Sequence, residues 1–84
     1  MKQVKVYSTS YCPYCIKAKQ LLKSKSIPFQ EIDLTNNAEL RDQVSSKTGH
    51  QTVPMIFIGD QFIGGFDSLN ALSQNGELDK LLQV

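Results

Sequence analysis

Short apolar stretches alternate with amphipathic ones along the chain. Val4 and Val6 are separated by a lysine in a stretch that runs to Tyr7, and this alternation predicts a strand. From about Pro13 to Lys25 the apolar residues recur at helical spacing, which predicts a helix. The buried face of this helix is expected to carry Ala18, Leu21 and Leu22. A second strand is predicted from Phe29 to Leu34, which completes a βαβ order.

The same alternation continues in the second half of the chain. Thr35 or Asn36 caps a predicted helix that ends near Gly49, because either side chain can accept a hydrogen bond from the first helical turn. The unbroken apolar run Met55–Ile58 is typical of a strand that is buried on both faces.

A tight hairpin is predicted directly after this run. The pair Gly59-Asp60 turns the chain into a fourth strand at Gln61–Ile63, so two antiparallel strands close the sheet. A helix capped by Asp67 or Ser68 comes next, and a short last helix follows Gly76. The predicted fold class is α/β, with a four-stranded mixed sheet in the order βαβαββα and helices flanking it.

The length and net charge of the chain argue against several classes of protein. The 84 residues are expected to form one domain, 1–84, and the net charge of +1 argues against nucleic acid as a main partner. No apolar run approaches the ~20 residues that a membrane span needs. A start at Met1 without a signal peptide predicts a reducing, cytoplasmic location.

The positive charges are unevenly distributed. Six lysines precede the first acidic residue, Glu31. Lys17 and Lys19 lie close enough to the cysteines to support a thiolate or an anionic substrate. For Lys23 and Lys25 we favour the solvated face of an amphipathic helix.

The chain has two cysteines, Cys12 and Cys15, at the point where the first strand gives way to the first helix. A Cys-x-x-Cys pair in this position is typical of thiol redox chemistry. Pro13 suits the first helical position, which places Cys12 near the N-cap. There the unpaired N–H groups and the positive end of the helix dipole favour a thiolate. Cys12 is therefore the expected nucleophile, and Cys15, one turn inside the helix, is the expected resolving cysteine.

Two other uses of this cysteine pair are weaker. A structural zinc ion needs about four ligands, and the one further candidate of the usual kind is His50, so no metal site is predicted. A structural disulfide between cysteines so close in sequence would remove very little chain entropy.

Three segments of the chain form a specific combination. They are Cys12-Pro13-Tyr14-Cys15 followed by Lys17, Ala18 and Lys19; Thr52-Val53-Pro54; and Ile63-Gly64-Gly65-Phe66-Asp67. In this order and spacing they resemble a dithiol glutaredoxin of the Cys-Pro-Tyr-Cys type, within the thioredoxin superfamily. The resemblance covers essentially the whole chain and implies a thioredoxin-like three-layer fold. It also implies a glutathione-dependent thiol-disulfide oxidoreductase that reduces protein disulfides and glutathione mixed disulfides, with glutathione as cosubstrate and no tightly bound cofactor.

The resemblance further implies which residues bind glutathione. The expected contacts are Tyr14, Arg41, Thr52, Val53, Pro54, Gly65, Phe66, Asp67 and Ser68. Pro54 would follow a cis peptide bond, with the Val53 backbone turned toward the substrate and Thr52 bordering the same groove. Tyr14 would pack against the ligand.

The charged groups of glutathione indicate which residues of this implied site would bind each end of the ligand. The N–H groups of Asp67 and Ser68 open a helix and would hold the γ-glutamyl carboxylate, while the Asp67 carboxylate would answer the ammonium group. The Arg41 guanidinium would bind the glycyl carboxylate. Simpler roles stay open for Asp67 as a plain N-cap and for Arg41 as a surface arginine. His50 and Gln51 lie on the loop before Thr52, where they could tune specificity, but for His50 we favour a solvated loop histidine.

Two positions depart from the pattern of the family. Thr9 stands where many members have a basic residue, and Ser68 where many have an acid. Each departure removes one charged contact, and an exposed contact of this kind contributes only ~0.2–1 kcal/mol.

The expected partners are disulfide-bonded or glutathionylated proteins, with ribonucleotide reductase among the candidates. We expect a monomer with no nucleic acid or membrane partner. Two other functions stay open. One is a redoxin reduced directly by thioredoxin reductase, and the other is an iron–sulfur carrier in which two chains and two glutathiones hold a cluster through Cys12.

Overall fold

The computed structural model of the protein describes residues 2–83, which form four strands and four helices. The strands are β1 (Val4–Ser8), β2 (Phe29–Asp33), β3 (Met55–Ile58) and β4 (Gln61–Gly64), and the helices are α1 (Pro13–Ser24), α2 (Ala38–Thr48), α3 (Phe66–Gln74) and α4 (Glu77–Leu82). Every predicted element is present, in the predicted order. No helix in residues 2–83 combines the length and apolar character that crossing a bilayer requires.

The four strands form one mixed sheet in the order β2-β1-β3-β4. β1 runs parallel to β2 and antiparallel to β3, and β4 runs antiparallel to β3. Helix α1 supplies the crossover that a parallel pair requires, and a tight turn joins the antiparallel pair β3 and β4. This topology confirms the predicted α/β class and the mixed sheet.

An apolar cluster covers each face of the sheet. On one face, side chains of β1 and β3 pack against α1, α3 and α4, through Val4, Val6, Ala18, Leu22, Ile56, Ile58, Leu69, Leu78 and Leu82. On the other face, Met55 and Phe57 pack with Val44 of α2. Because successive strand residues point to opposite faces, all of Met55–Ile58 is buried, as predicted. The sheet is thus the middle of three layers.

The sheet register brings three separate segments to one edge. Tyr7 near the end of β1 pairs with Met55 at the start of β3, and Ile56 pairs with Gly64 at the end of β4. The loop after β1, the segment before β3 and the start of α3 therefore lie next to one another. These segments carry the cysteine pair, Pro54 and Asp67.

The start of α2 differs from the prediction. Asn37, and not Thr35 or Asn36, is the N-cap, and its Oδ1 accepts a hydrogen bond from the N–H of Leu40 at 3.2 Å. Thr35 is engaged elsewhere, because its N–H and hydroxyl donate to Oδ1 of Asp33 at 2.9 and 2.6 Å. β2 also ends one residue earlier than predicted, at Asp33.

The start of α3 differs as well. Gly65 is its N-cap, with an extended backbone, so the prediction of a cap at Asp67 or Ser68 is wrong. The Gly65 carbonyl accepts the first helical hydrogen bond, from the N–H of Leu69 at 3.2 Å. Asp67 and Ser68 consequently lie inside the first turn of the helix.

Candidate active site

Cys12 is the N-cap residue of α1, and Pro13 occupies the first helical position, as predicted. The Cys12 sulfur accepts a hydrogen bond from the backbone N–H of Cys15 at 3.1 Å. A serine or aspartate oxygen commonly fills this place at an N-cap. Here the sulfur fills it, where the helix dipole stabilises an anion.

Cys15 is the more protected of the two free cysteines. Its exposure is 0%, against 8% for Cys12. Burial raises the pKa of the Cys15 thiol to about 12, and a hydrogen bond with the Cys12 side chain acts in the same direction. A backbone hydrogen bond from Thr9 acts in the opposite direction. At neutral pH Cys15 is therefore a protonated thiol beneath Cys12.

Val53 joins the cysteine pair to the segment before β3. The Cys12 thiol donates a hydrogen bond to the Val53 carbonyl oxygen, with 3.5 Å between the two atoms. The Val53–Pro54 peptide bond is cis, as the resemblance implies, and Pro54 is buried. The backbone of Val53 thus lies directly beside the Cys12 sulfur.

A groove of about 450 Å³ extends from Val53 to the start of α3. Its lining consists of Tyr14, His50, Thr52, Val53, Pro54, Gly65, Phe66, Asp67 and Ser68. The Tyr14 and Phe66 rings face one another across part of it, with centroids 6.2 Å apart. Eight of the nine residues expected to contact glutathione come together here, and Arg41 is the exception.

The start of α3 offers backbone N–H groups to this groove. Gly65 provides no side-chain cap, so the first turn has N–H groups without that partner. Asp67 and Ser68, both exposed, belong to this turn. A helix N-terminus of this kind binds carboxylates and phosphates.

Gly64 is required where β4 turns into α3. Its φ is +124°, a conformation that side chains rarely adopt, and a Cβ built there would lie 2.8 Å from the Ser68 hydroxyl oxygen. The glycine thereby lets β4 pass closely over the first turn of the helix.

His50 also lines the groove, although it is not among the residues expected to contact glutathione. A solvated loop histidine is the favoured expectation, whereas the structure shows a half-buried ring whose Nε2 lies 3.1 Å from Thr52 Oγ1. The ring also makes an edge contact with Phe62, at 5.5 Å between centroids. Its position on the loop before Thr52 is the sequence signal for a role in specificity.

Comparison with known proteins identifies the family. A family model described as Glutaredoxin matches residues 4–63, and a glutaredoxin from Pseudomonas aeruginosa is 50% identical over 84 residues, spanning 100% of both chains. The chain belongs to the glutaredoxin family. Glutaredoxin 3 of Escherichia coli is 47% identical over 83 residues, covering 99% of this chain and 100% of that protein.

Solved structures give the same result. The crystal structure of a buckwheat glutaredoxin–glutathione complex superimposes with a TM-score of 0.88 and 33% identity, covering 94% of this chain and 74% of that one. As a glutaredoxin, the protein is a glutathione-dependent thiol-disulfide oxidoreductase. The two alternatives, a redoxin reduced by thioredoxin reductase and an iron–sulfur carrier, are not favoured by these matches.

Arg41 of this glutaredoxin lies outside the groove, on α2. Its Nη2 is 3.5 Å from the carbonyl oxygen of Gln51, and the two residues border a separate shallow depression. Gln51 precedes Thr52, which lines the groove. Arg41 therefore lies next to the outer end of the groove and not against its floor.

The two lysines expected near the cysteines have different surroundings. Lys19 Nζ forms an ion pair with Glu31 at 2.6 Å, and the Ser8 hydroxyl donates to the same carboxylate oxygen at 2.8 Å. The hydrogen bond from Lys19, followed by that from Ser8, lowers the pKa of Glu31. Lys17 Nζ instead lies 5.1 Å from the centre of the Tyr14 ring.

Proposed function

We propose that this glutaredoxin binds the glutathione half of a mixed disulfide in the groove beside Cys12 and exchanges it through the Cys12 sulfur. One observation carries the proposal. Cys12 Sγ lies at a helix N-terminus and 3.5 Å from the carbonyl of Val53, a residue that lines the groove. A ligand in the groove therefore lies beside the most reactive position of the chain.

The one-cysteine route needs only Cys12. Its thiolate attacks the glutathionyl sulfur of a mixed disulfide, a bond forms between the two sulfurs, and the substrate leaves as a thiolate that takes up a proton. A second glutathione, as thiolate, then attacks the glutathionyl sulfur attached to Cys12. Oxidised glutathione leaves, and the Cys12 thiolate is restored.

Protein disulfides use both cysteines. Cys12 attacks one sulfur of the protein disulfide and forms a mixed disulfide with the substrate. Cys15 then gives up its proton and attacks the Cys12 sulfur, which releases the second substrate thiol and leaves a Cys12–Cys15 disulfide. Two glutathione molecules later reduce this bond and become oxidised glutathione. The buried position of Cys15 keeps it out of the first step.

The groove accounts for the charges of glutathione at its α3 end. The N–H groups of Asp67 and Ser68 hold the γ-glutamyl carboxylate, and the Asp67 carboxylate meets the ammonium group. The backbone of Val53 pairs with the extended cysteinyl part of the ligand, as in an added strand. The buckwheat glutaredoxin–glutathione complex, which shares this fold, supports glutathione as the ligand.

Arg41 is our candidate for the other end of the ligand. Its guanidinium lies near Gln51, next to Thr52 at the outer end of the groove. From this position the Arg41 side chain reaches toward Thr52 and binds the glycyl carboxylate of glutathione.

The proposed site is complete within one chain, which supports a monomer. The exchange needs Cys12 as a free thiol, a state that a reducing cytoplasm maintains. The substrates are disulfide-bonded or glutathionylated proteins, with ribonucleotide reductase among the candidates. Glutathione acts as cosubstrate, without a tightly bound cofactor.

Asp67→Asn tests the groove. The substitution keeps the size of the side chain but removes the charge that meets the ligand ammonium, so the KM for a glutathionylated peptide should rise by about twofold to fivefold while kcat changes little. Asp60→Asn is the matched control, because Asp60 is exposed on the β3–β4 turn outside the groove lining. Equal KM values for both variants and the unmodified protein would remove Asp67 from the site.

A further inference from the structure

The exposed large apolar side chains of the described residues all lie close to Cys12 in the sequence. Within residues 2–83 the exposed ones are Tyr11, Tyr14 and Ile16, at 72%, 55% and 48%. All three lie within four positions of Cys12 in the sequence. Single exposed apolar residues need no explanation, but a cluster of them marks an interaction surface.

Ile16 belongs to the same turn of α1 as the nucleophile. Its N–H donates to the Cys12 carbonyl at 3.2 Å. Side chains of an α-helix tilt toward its N-terminus, so Ile16 leans toward the Cys12 end of α1. Tyr11 precedes Cys12 directly, so the two residues flank the nucleophile in sequence.

Lys17 adds a positive charge to these apolar groups. With about 100° of rotation per residue, Lys17 lies between Tyr14 and Ile16 around the helix. Lys17 forms no ion pair within residues 2–83, and the first turn of α1 contains no acidic residue. Lys19 differs, because its charge is paired with Glu31.

The groove does not use this surface. Its lining includes Tyr14 but not Tyr11, Ile16 or Lys17. A mixed disulfide has two halves, and the groove accounts for the glutathione half. The other half, a protein segment, needs a surface of its own beside the Cys12 sulfur.

We propose that Tyr11, Ile16 and Lys17 form the docking surface for the protein half of the substrate. The surface selects a polypeptide segment whose cysteine is flanked by an apolar and an acidic side chain, since aromatic and aliphatic groups beside a lysine without an acidic partner complement that chemistry. This inference rests on the proposed function, because it needs the glutathione half to lie in the groove.

Two glutathionylated peptides of equal length test the surface. In one the cysteine is flanked by leucine and aspartate, and in the other by serine and lysine. We expect kcat/KM of the unmodified protein to be about tenfold higher for the first peptide. The mixed disulfide of glutathione with 2-mercaptoethanol, which has no peptide, serves as the reference substrate.

Tyr11→Ser combined with Ile16→Ser should reduce this preference to about twofold or less, with turnover of the reference substrate unchanged. Gln20→Ser combined with Lys23→Ser is the matched control, because these residues are exposed further along α1, and it should retain the preference. Lys17→Glu should reverse the part of the preference that depends on charge.

The outcomes separate the two levels of the proposal. Equal kcat/KM for the two peptides, with normal turnover of the reference substrate, overturns the docking surface alone. A preference that survives in the Tyr11 and Ile16 double variant also overturns it. Failure of the unmodified protein to turn over the reference substrate contradicts the proposed function itself.

Discussion

Cys15 should be far less reactive than an ordinary thiol as long as the protein is folded. Burial, followed by the hydrogen bond with Cys12, raises its pKa from 9.0 to about 12. At pH 7 this change lowers the thiolate fraction from about one in 10² to about one in 10⁵. Because the thiolate is the species that reacts, ionisation alone slows Cys15 about 10³-fold.

The Cys12→Ser variant isolates this effect, since Cys15 is then the sole thiol of the chain. The substitution removes the contribution of Cys12 to the pKa of Cys15 but leaves burial, the larger cause. We therefore expect alkylation by iodoacetamide at pH 7 to be at least about 10²-fold slower than for an exposed thiol.

The assay follows the alkylated mass between pH 7 and pH 10. The rate should rise about tenfold per pH unit, without levelling near pH 9 as an exposed thiol would. The same variant unfolded in urea supplies the exposed-thiol rate, and Cys15→Ser supplies the rate of Cys12 in the folded protein. If folded Cys12→Ser reacts as fast as the unfolded chain, the account of a protected resolving cysteine is wrong.

Two further predictions concern stability. The pKa of Glu31 is lowered in the folded state, chiefly by Lys19 and then by Ser8, so its contribution to stability is present above the pKa of about 4.5 in the unfolded chain and is lost as the pH falls through the folded value. The Tm difference between the unmodified protein and Glu31→Gln should therefore be larger at pH 7 than at pH 3, and an unchanged difference would argue against the Lys19–Glu31 pair. Leu22→Ala should lower the free energy of unfolding, measured in urea, by about 2–5 kcal/mol, because Leu22 lies in the core with 0% exposure. The control Lys23→Ala changes an exposed neighbour and should alter the free energy of unfolding by less than about 0.5 kcal/mol. Equal effects of the two substitutions would contradict the core assignment.

Local chemistry determined what could be predicted from the sequence. The run Met55–Ile58 indicated a strand buried on both faces because it is short, wholly apolar and flanked by Pro54 and Gly59. Cys12 and Pro13 fixed the start of α1 because their roles depend only on the adjacent turn.

Competing contacts determined the rest. Thr35 has the side chain of a helix cap, but Asp33, two residues earlier, holds it in a local turn, so Asn37 caps α2. A local pattern allows both the turn and a cap at Thr35, and it does not decide between them. His50 enters the groove through contacts with Thr52 and Phe62, and the contact with Phe62 depends on how β4 packs.

The start of α3 and the place of Arg41 show the same limit. Gly65 caps α3 but has no side chain that could form a capping hydrogen bond. A search of the sequence for capping side chains therefore places the start of α3 too late. Arg41 lies on α2, and whether it lines the groove depends on how that helix sits against the segment around Gln51.

We propose that Cys12 alone carries the exchange with glutathione, and a coupled assay of the cysteine variants distinguishes this route from one that needs both sulfurs. Glutathione-dependent reduction of the mixed disulfide of glutathione with 2-mercaptoethanol is measured by coupling to glutathione reductase, for the unmodified protein, Cys12→Ser and Cys15→Ser. We expect Cys12→Ser to be inactive and Cys15→Ser to keep most of the activity, because the Cys15 sulfur takes no part in the one-cysteine route. Loss of activity in a folded Cys15→Ser variant, or activity retained by Cys12→Ser, would contradict it.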